Sequence, residues 1–164
     1  MAHRYDEADG AAAFGVSNVN PLMVACVHAS LSIFAEAGGV RKLRRKSILL
    51  TGYLEALLKQ RGLLASTQKK GAGRASTALL EIVTPSDPAR RGCQLSLRVK
   101  PASPAASGGK VLTMRALEEA LRDRGVVGDA REPDIVRISP VPLYNTFTDV
   151  FRAVEALQDA LRAA

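Results

Sequence analysis

One arginine, Arg137, stands in the middle of a short apolar run, "DIVRISPVPLYNTF", which contains two closely spaced prolines after the arginine. Alternation along this run predicts a strand in which Arg137 lies on the face opposite Val136 and Ile138. A guanidinium group binds a carboxylate well because it offers a planar fork of N–H donors. The proline-containing turn would fix the geometry beside it. From these residues alone, a surface or ion-paired arginine and a ligand-binding arginine are equally open interpretations.

No other catalytic pattern follows from residue spacing. The sequence has no glycine-rich phosphate loop, no paired-histidine zinc motif and no serine nucleophile elbow. Cys26 and Cys93 are far apart and lack the spacing of metal ligands, so we predict neither a metal site nor a disulfide framework. His28 is predicted to be a structural residue of a buried helix, since a single imidazole without a partner rarely forms a site.

Composition predicts one modest soluble domain, which the unpaired cysteines and polar N-terminus suggest is cytoplasmic. The chain has 164 residues and a net charge of +7, and its basic run "RKLRRK", residues 41–46, is a possible nucleic-acid contact. Few aromatic residues surround this run, so the solvated face of a helix is the preferred interpretation. Residues 21–37 are apolar but short of the roughly 20 residues that span a bilayer. We therefore predict no nucleic-acid partner and no membrane.

The predicted elements follow the order helix, helix, strand, strand, helix, strand, strand, helix. Residues 1–20 are predicted to be a loop. The helices are expected at residues 21–37 (mostly buried), 40–61, 111–124 and from 146 onward, and the strands at residues 78–85, 93–100, 126–129 and 135–139. Asn20 before Pro21 is a good helix start, and Thr146 with Asp149 forms a capping box. This order predicts an α+β fold, a small mostly antiparallel sheet with helices on one face.

Several strings occur in an order that resembles the C-terminal part of kynureninases. They are "SN" before an apolar helix with "HASLSIF", then "LRRKSILLTGYLEALL", "IVTPSDPARRGCQLSL" and "RGVVGDAREPDIVRISPVPLYNTFTDVF". The resemblance extends from about Gly10 to the end of the chain. It implies that residues 21–164 form the small C-terminal domain of a fold-type-I, aminotransferase-like enzyme that depends on pyridoxal 5'-phosphate.

The resemblance further implies hydrolysis of L-kynurenine or 3-hydroxykynurenine to an anthranilate and L-alanine, in tryptophan catabolism and NAD biosynthesis. The cofactor would act as the electron sink, and the enzyme would be a homodimer. Arg137 matches the arginine that pairs with the α-carboxylate of the substrate, and therefore faces the cleft. Ser17 and Asn18 match a pair near the aromatic ring of the substrate.

The family's Schiff-base lysine lies in a large domain that has no counterpart in this sequence. We therefore expect no catalytic residue in this chain, no identifiable cofactor-binding residue and no activity of the chain alone. A truncated enzyme and an orphan domain that docks on a separate large-domain chain both fit this expectation. A basic binding or dimerisation module, and the small domain of another pyridoxal-phosphate enzyme, are the alternatives.

Overall fold

The computed structural model describes residues 8–15, 17–65, 80–100 and 112–163. The chain divides into two units, Met1–Val40 and Arg41–Ala164. In the first unit, a short 3-10 helix, Gly10–Phe14, interrupts the segment that was predicted to be a loop. The helix α1, Pro21–Glu36, begins as predicted: the Oδ1 atom of Asn20 accepts a 2.9 Å hydrogen bond from the amide of Leu22.

The predicted burial of α1 is wrong. No residue of this helix is buried, and His28 is exposed, so its expected role in a core is wrong as well. The apolar side chains that remain more than half exposed are Leu22, Met23, Val24, Val27, Leu31 and Ile33. Apolar composition predicted burial, but the described part of this unit contains no second element that packs on the helix.

The second unit contains a four-stranded antiparallel sheet and helices on one of its faces, which confirms the α+β prediction. Its strands occur in the spatial order β1-β2-β4-β3. The elements are α2 (Gly39–Gln60, beginning just before the unit boundary), β1 (Leu80–Ile82), β2 (Leu95–Val99), α3 (Met114–Arg122), β3 (Asp129–Arg131), β4 (Ile135–Ile138) and α4 (Phe147–Ala163).

The third strand begins later than the sequence predicts. Gly125 adopts a φ of 78° after α3, and the amide of Val126 donates to the carbonyl of Leu121 at 2.9 Å. This hydrogen bond caps the helix and removes the Val126 amide from any strand ladder. The strand therefore starts at Asp129 rather than at Val126, and Val127 stays 83% exposed.

Strict alternation of side chains divides the sheet into an apolar and a polar face. In β2, Leu95, Leu97 and Val99 are buried, and their register partners on β4 include Val136 and Ile138. The predicted stripe of α2 lies in the same unit and is buried: Leu43, Ser47, Leu50, Leu54 and Leu57. Buried leucines and valines of α3 and α4 complete the core. The side chains between the buried strand positions point away from the helices.

Three side-chain contacts fasten α2 to the segment that enters β2. Thr51 donates to the carbonyl of Cys93 at 3.0 Å, and Arg44 donates to the carbonyl of Pro88. Glu55 pairs with Arg91 at 2.6 Å, and only 4% of the Arg91 side chain is exposed. One arginine of the basic run is thus a structural residue. The prediction that the run binds no nucleic acid stays a prediction.

Two backbone contacts bring distant parts of the chain together at the edge of the sheet. Leu64 and Leu80 form a parallel bridge. The amide of Ala65 donates to the carbonyl of Leu80 at 2.7 Å. Residues Leu64 and Ala65 therefore lie beside the first residue of β1.

Among the described helices, none alone has both the length and the hydropathy needed to cross a bilayer. Only α1 and α2 taken together, as one interrupted segment, meet that test of length and composition.

The ion pair between Glu55 on α2 and Arg91 predicts that the stability of the fold depends on pH. Partial burial raises the pKa of Glu55, but its hydrogen bonds and charge pairing with Lys59 and Arg91 outweigh this and lower the pKa overall. A carboxyl group with a lowered pKa stabilises the fold above its unfolded pKa, and this contribution is lost as pH falls through the folded pKa. We expect Glu55→Gln to lower the free energy of unfolding by about 1–3 kcal/mol at pH 7.

The difference between wild type and Glu55→Gln should shrink as the pH is lowered from 5 to 3, measured by urea unfolding at each pH. Glu118→Gln is the control, because Glu118 pairs with the exposed Arg122 one turn further along α3. A Glu55→Gln difference that stays constant over this pH range would contradict the assignment.

Candidate functional site

Arg137 occupies the centre of the polar face of the sheet. It lies on β4, and its register partners are Ser96 on β2 and Asp129 on β3. Val136 and Ile138, its chain neighbours, are buried on the opposite face. The alternation predicted from the sequence is therefore confirmed, and about 30% of the Arg137 side chain is exposed.

The guanidinium of Arg137 forms an ion pair across the β3–β4 ladder. Its Nη2 atom donates to Oδ2 of Asp129, and the same oxygen accepts a 3.0 Å hydrogen bond from Nε of Arg131. Two guanidinium groups thus share one carboxylate, which leaves one positive charge unmatched. The Nε atom of Arg137 is buried and has no hydrogen-bond partner among the described residues.

Neutral polar groups border Arg137 on its other side. The side-chain Nε2 atom of Gln94 donates to Oγ of Ser96 at 3.2 Å, and Oγ of Ser139 donates to Oε1 of Gln94 at 3.5 Å. The backbone amide of Ser96 donates to Oγ1 of Thr84 at 2.8 Å. These groups add hydrogen-bonding capacity without negative charge, so the excess positive charge of the arginine cluster is not cancelled from this side.

This arrangement can bind an anion of carboxylate size. A charged donor with free N–H groups, next to neutral polar neighbours, gives strong and directional hydrogen bonds to a carboxylate. Neither a lysine nor a histidine is among the residues paired with Arg137 in the described sheet. The site can therefore hold and orient a ligand, and the carboxylate of Asp129 is itself bonded by two guanidinium groups.

The turn after β4 is fixed by its own hydrogen bonds. Oδ1 of Asn145 accepts from the amide of Val141 at 2.8 Å, and the amide of Asn145 donates back to the Val141 carbonyl at 2.9 Å. At the start of α4, the amide of Asp149 donates to Oγ1 of Thr146 at 3.2 Å, which confirms the predicted capping box. The Asp149 carboxylate in turn accepts from the amide of Thr146 at 2.8 Å and from its hydroxyl at 2.9 Å. These two hydrogen bonds lower the pKa of Asp149.

A pocket of about 570 Å³ opens next to this turn. Its lining includes Arg124, Tyr144, Asn145 and Arg152, whereas Arg137 does not line it. The candidate anion site is therefore not enclosed by this pocket. It is an open half-site on the sheet, and further groups are needed to surround a ligand.

The other predicted site residues, Ser17 and Asn18, belong to the first unit. Both are exposed and precede α1. Their assignment next to the aromatic ring of a substrate stays a prediction. Within the described ranges, no group of three or more His, Cys, Asp or Glu side chains is arranged to hold a metal ion.

The described residues do not form a pyridoxal-phosphate site by themselves. Two of their four lysines are ion-paired, Lys59 with Glu55 and Lys100 with Glu81. The other two, Lys42 and Lys46, lie on α2, and no lysine is paired in register with Arg137.

Asp129 is the functional candidate that sequence reasoning missed. Its pairing with Arg137 depends on the strand register, and the sequence placed β3 three residues too early. The signal was present in the string "DAREPDIVR", since a short proline-containing turn between two strands brings its first and last residues into register.

Comparison with known proteins connects this geometry to a family. The family described as the kynureninase C-terminal domain matches residues 43–157. The chain is 42% identical to kynureninase 1 of Chaetomium globosum over all 164 of its residues. It is 44% identical to the kynureninase of Stenotrophomonas maltophilia over 158 residues, and 41% identical to that of Mus musculus over 161 residues.

These alignments cover 96–100% of this chain but 29%, 32% and 31% of the three relatives, in the order given. The chain therefore spans about a third of the length of the curated relatives it matches, and corresponds to their C-terminal part. The matched segment contains the whole sheet, Arg137 and most of both α2 and α4. The chain belongs to the kynureninase C-terminal domain family.

Proposed function

We propose that this chain supplies the carboxylate-binding half of a kynureninase site. The reaction is the hydrolysis of L-kynurenine or 3-hydroxykynurenine to an anthranilate and L-alanine. The observation that carries the proposal is the guanidinium of Arg137, which is partly exposed on the polar sheet face and bears excess positive charge. Arg137 would bind the substrate α-carboxylate, and Ser17 and Asn18 would lie near its aromatic ring.

Membership of the family supports the remaining parts of the proposal. Pyridoxal phosphate would supply the electron sink, and its lysine would come from the part of the family polypeptide that this chain does not span. The role of Arg137 is to fix one end of the substrate, so that its reacting bond is held in a single orientation. The same proposal places the assembled enzyme, a homodimer in the cytoplasm, in tryptophan catabolism and NAD biosynthesis.

The clamp is tested by Arg137→Ala in a fusion whose C-terminal third is this chain and whose remainder is the Stenotrophomonas maltophilia kynureninase. Loss of a charge-assisted, two-point contact should raise KM for L-kynurenine at least roughly 30-fold, which corresponds to about 2 kcal/mol. Arg137→Lys should recover only part of this, because an ammonium group lacks the planar fork. Steady-state kinetics provide the measurement.

Arg98→Ala is the matched control. Arg98 lies on the same sheet face and is 42% exposed, but it pairs with Glu81 at 3.5 Å and Asp134 at 3.3 Å. It should leave KM within about twofold of the unchanged fusion, as expected for an exposed ion pair. If Arg137→Ala and Arg98→Ala have the same KM, Arg137 is not the carboxylate clamp.

We also propose that α1 docks on the preceding two thirds of the family polypeptide. A helix with apolar residues on every side is normally surrounded by protein. Val27 and Leu31 are 57% and 60% exposed here, and α1 has no buried residue. The two thirds of the relatives' length that this chain does not span provide an occupant large enough to cover such a surface.

Replacing both Val27 and Leu31 by Asp should therefore weaken that docking. The preceding two thirds of the Stenotrophomonas maltophilia relative, expressed as a separate chain, is titrated with this chain, and Kd is measured by calorimetry. We expect Kd to rise more than tenfold, because two carboxylates would have to be buried. Val127→Asp, an exposed valine of the second unit, is the control. Equal affinity of wild type and the α1 double variant would contradict docking through α1.

A further inference from the structure

We propose that Asp129 is a positioning residue for Arg137, which deepens and rests on the proposed function. Asp129 would hold the guanidinium in the orientation that presents the Nη1 and Nη2 end of its fork to a carboxylate. Arg131 would hold Asp129 in turn. Arg131, Asp129 and Arg137 would thus form a chain of three charged side chains on the polar face, of which only Arg137 contacts the ligand.

Hydrogen bonding defines which end of the fork is free. Nη2 of Arg137 carries two hydrogen atoms, and one is used by Oδ2 of Asp129. Nε is buried, so a ligand in solution cannot reach it. Nη1 makes no hydrogen bond to the described residues. The donors left for a ligand are therefore the hydrogens of Nη1 and the second hydrogen of Nη2.

Strand register explains why Asp129 can perform this role. Asp129 and Arg137 are direct partners in the antiparallel β3–β4 ladder, so their backbones are fixed relative to each other. Arg131 lies two residues further along β3, and therefore on the same face, and bonds the same carboxylate oxygen at 3.0 Å. The carboxylate is held between two arginines, which restricts its rotamer and, through it, the rotamer of Arg137.

Charge explains why the carboxylate of Asp129 does not take the place of the ligand carboxylate on Arg137. A single Asp129 between two guanidinium groups leaves a net positive charge at the ladder. An incoming carboxylate is therefore still attracted to Arg137, although Asp129 occupies one of its hydrogens. Without Asp129, Arg137 would regain the freedom of a long side chain, and two unscreened guanidinium groups would repel each other.

The kinetic test uses Asp129→Asn and Asp129→Glu in the fusion described above. We expect Asp129→Asn to raise KM for L-kynurenine about five- to tenfold with kcat within twofold, and Asp129→Glu to restore part of the loss. Glu132→Gln is the matched control. Glu132 lies three residues after Asp129 in sequence, and its substitution removes only an exposed ion pair with Arg115. An unchanged or lowered KM in Asp129→Asn, or a parallel fall in kcat, overturns the proposal.

A second measurement needs no catalysis. In the 164-residue chain, hydrogen exchange at the arginine Nε–H groups is followed by NMR, and the Arg137 signal is assigned by its absence from Arg137→Ala. We expect Asp129→Asn to speed exchange at Arg137 at least fivefold, and Glu132→Gln to leave it unchanged. Equal exchange in wild type and Asp129→Asn overturns the positioning role.

The two proposals fail in different ways. If Arg137→Ala leaves KM unchanged, the carboxylate clamp fails, whatever the exchange data show. If Arg137→Ala raises KM but Asp129→Asn alters neither KM nor the exchange at Arg137, the clamp stands and the positioning role fails.

Discussion

The structure of the second unit depends on the pairing register of β2 and β4. In this register Leu95 and Leu97 face the helices together with Val136 and Ile138, while Ser96 and Arg137 meet on the other face. Because side chains alternate with a period of two, a slip by one residue would expose these apolar side chains and place a guanidinium in the core. The energy that holds the core together is thus also what keeps Arg137 facing outward.

The candidate site relies on one arginine, which the surrounding structure holds in place. Arg137 is the only residue of the polar face for which we propose substrate contact, and its surroundings are either neutral or bound to one another. Behind the sheet, α2 is fastened to the segment before β2 by Thr51, Arg44 and Glu55. A half-site of this kind presents a rigid charged surface, and the proposed reaction chemistry is left to the rest of the family polypeptide.

Sequence patterns correctly predicted the features that depend on residues only a few positions apart in the chain. The stripe of α2, the alternation of β2 and the caps at Asn20 and Thr146 were all correct, because each depends on spacing within a few residues. The strand at β3 was misplaced, because a helix cap at Val126 competed with strand formation. The burial of α1 was wrong, because burial depends on what packs against a helix and not on its composition alone.

The candidate site was predictable only in part, for a similar reason. An arginine within an apolar strand is visible in sequence, but its ion pair with Asp129 is a property of strand register. That pair was missed because the sequence placed β3 three residues too early. Ser17 and Asn18 came from the resemblance alone, since no spacing argument connects them to Arg137.

The parallel bridge between Leu64 and Leu80 has a consequence for where this sequence can vary in length. The backbone hydrogen bond from Ala65 to Leu80 fixes both ends of the connection formed by residues 66–79. Insertions and deletions among relatives should therefore be tolerated between these two leucines, at a point where they would not disturb the register that orients Arg137.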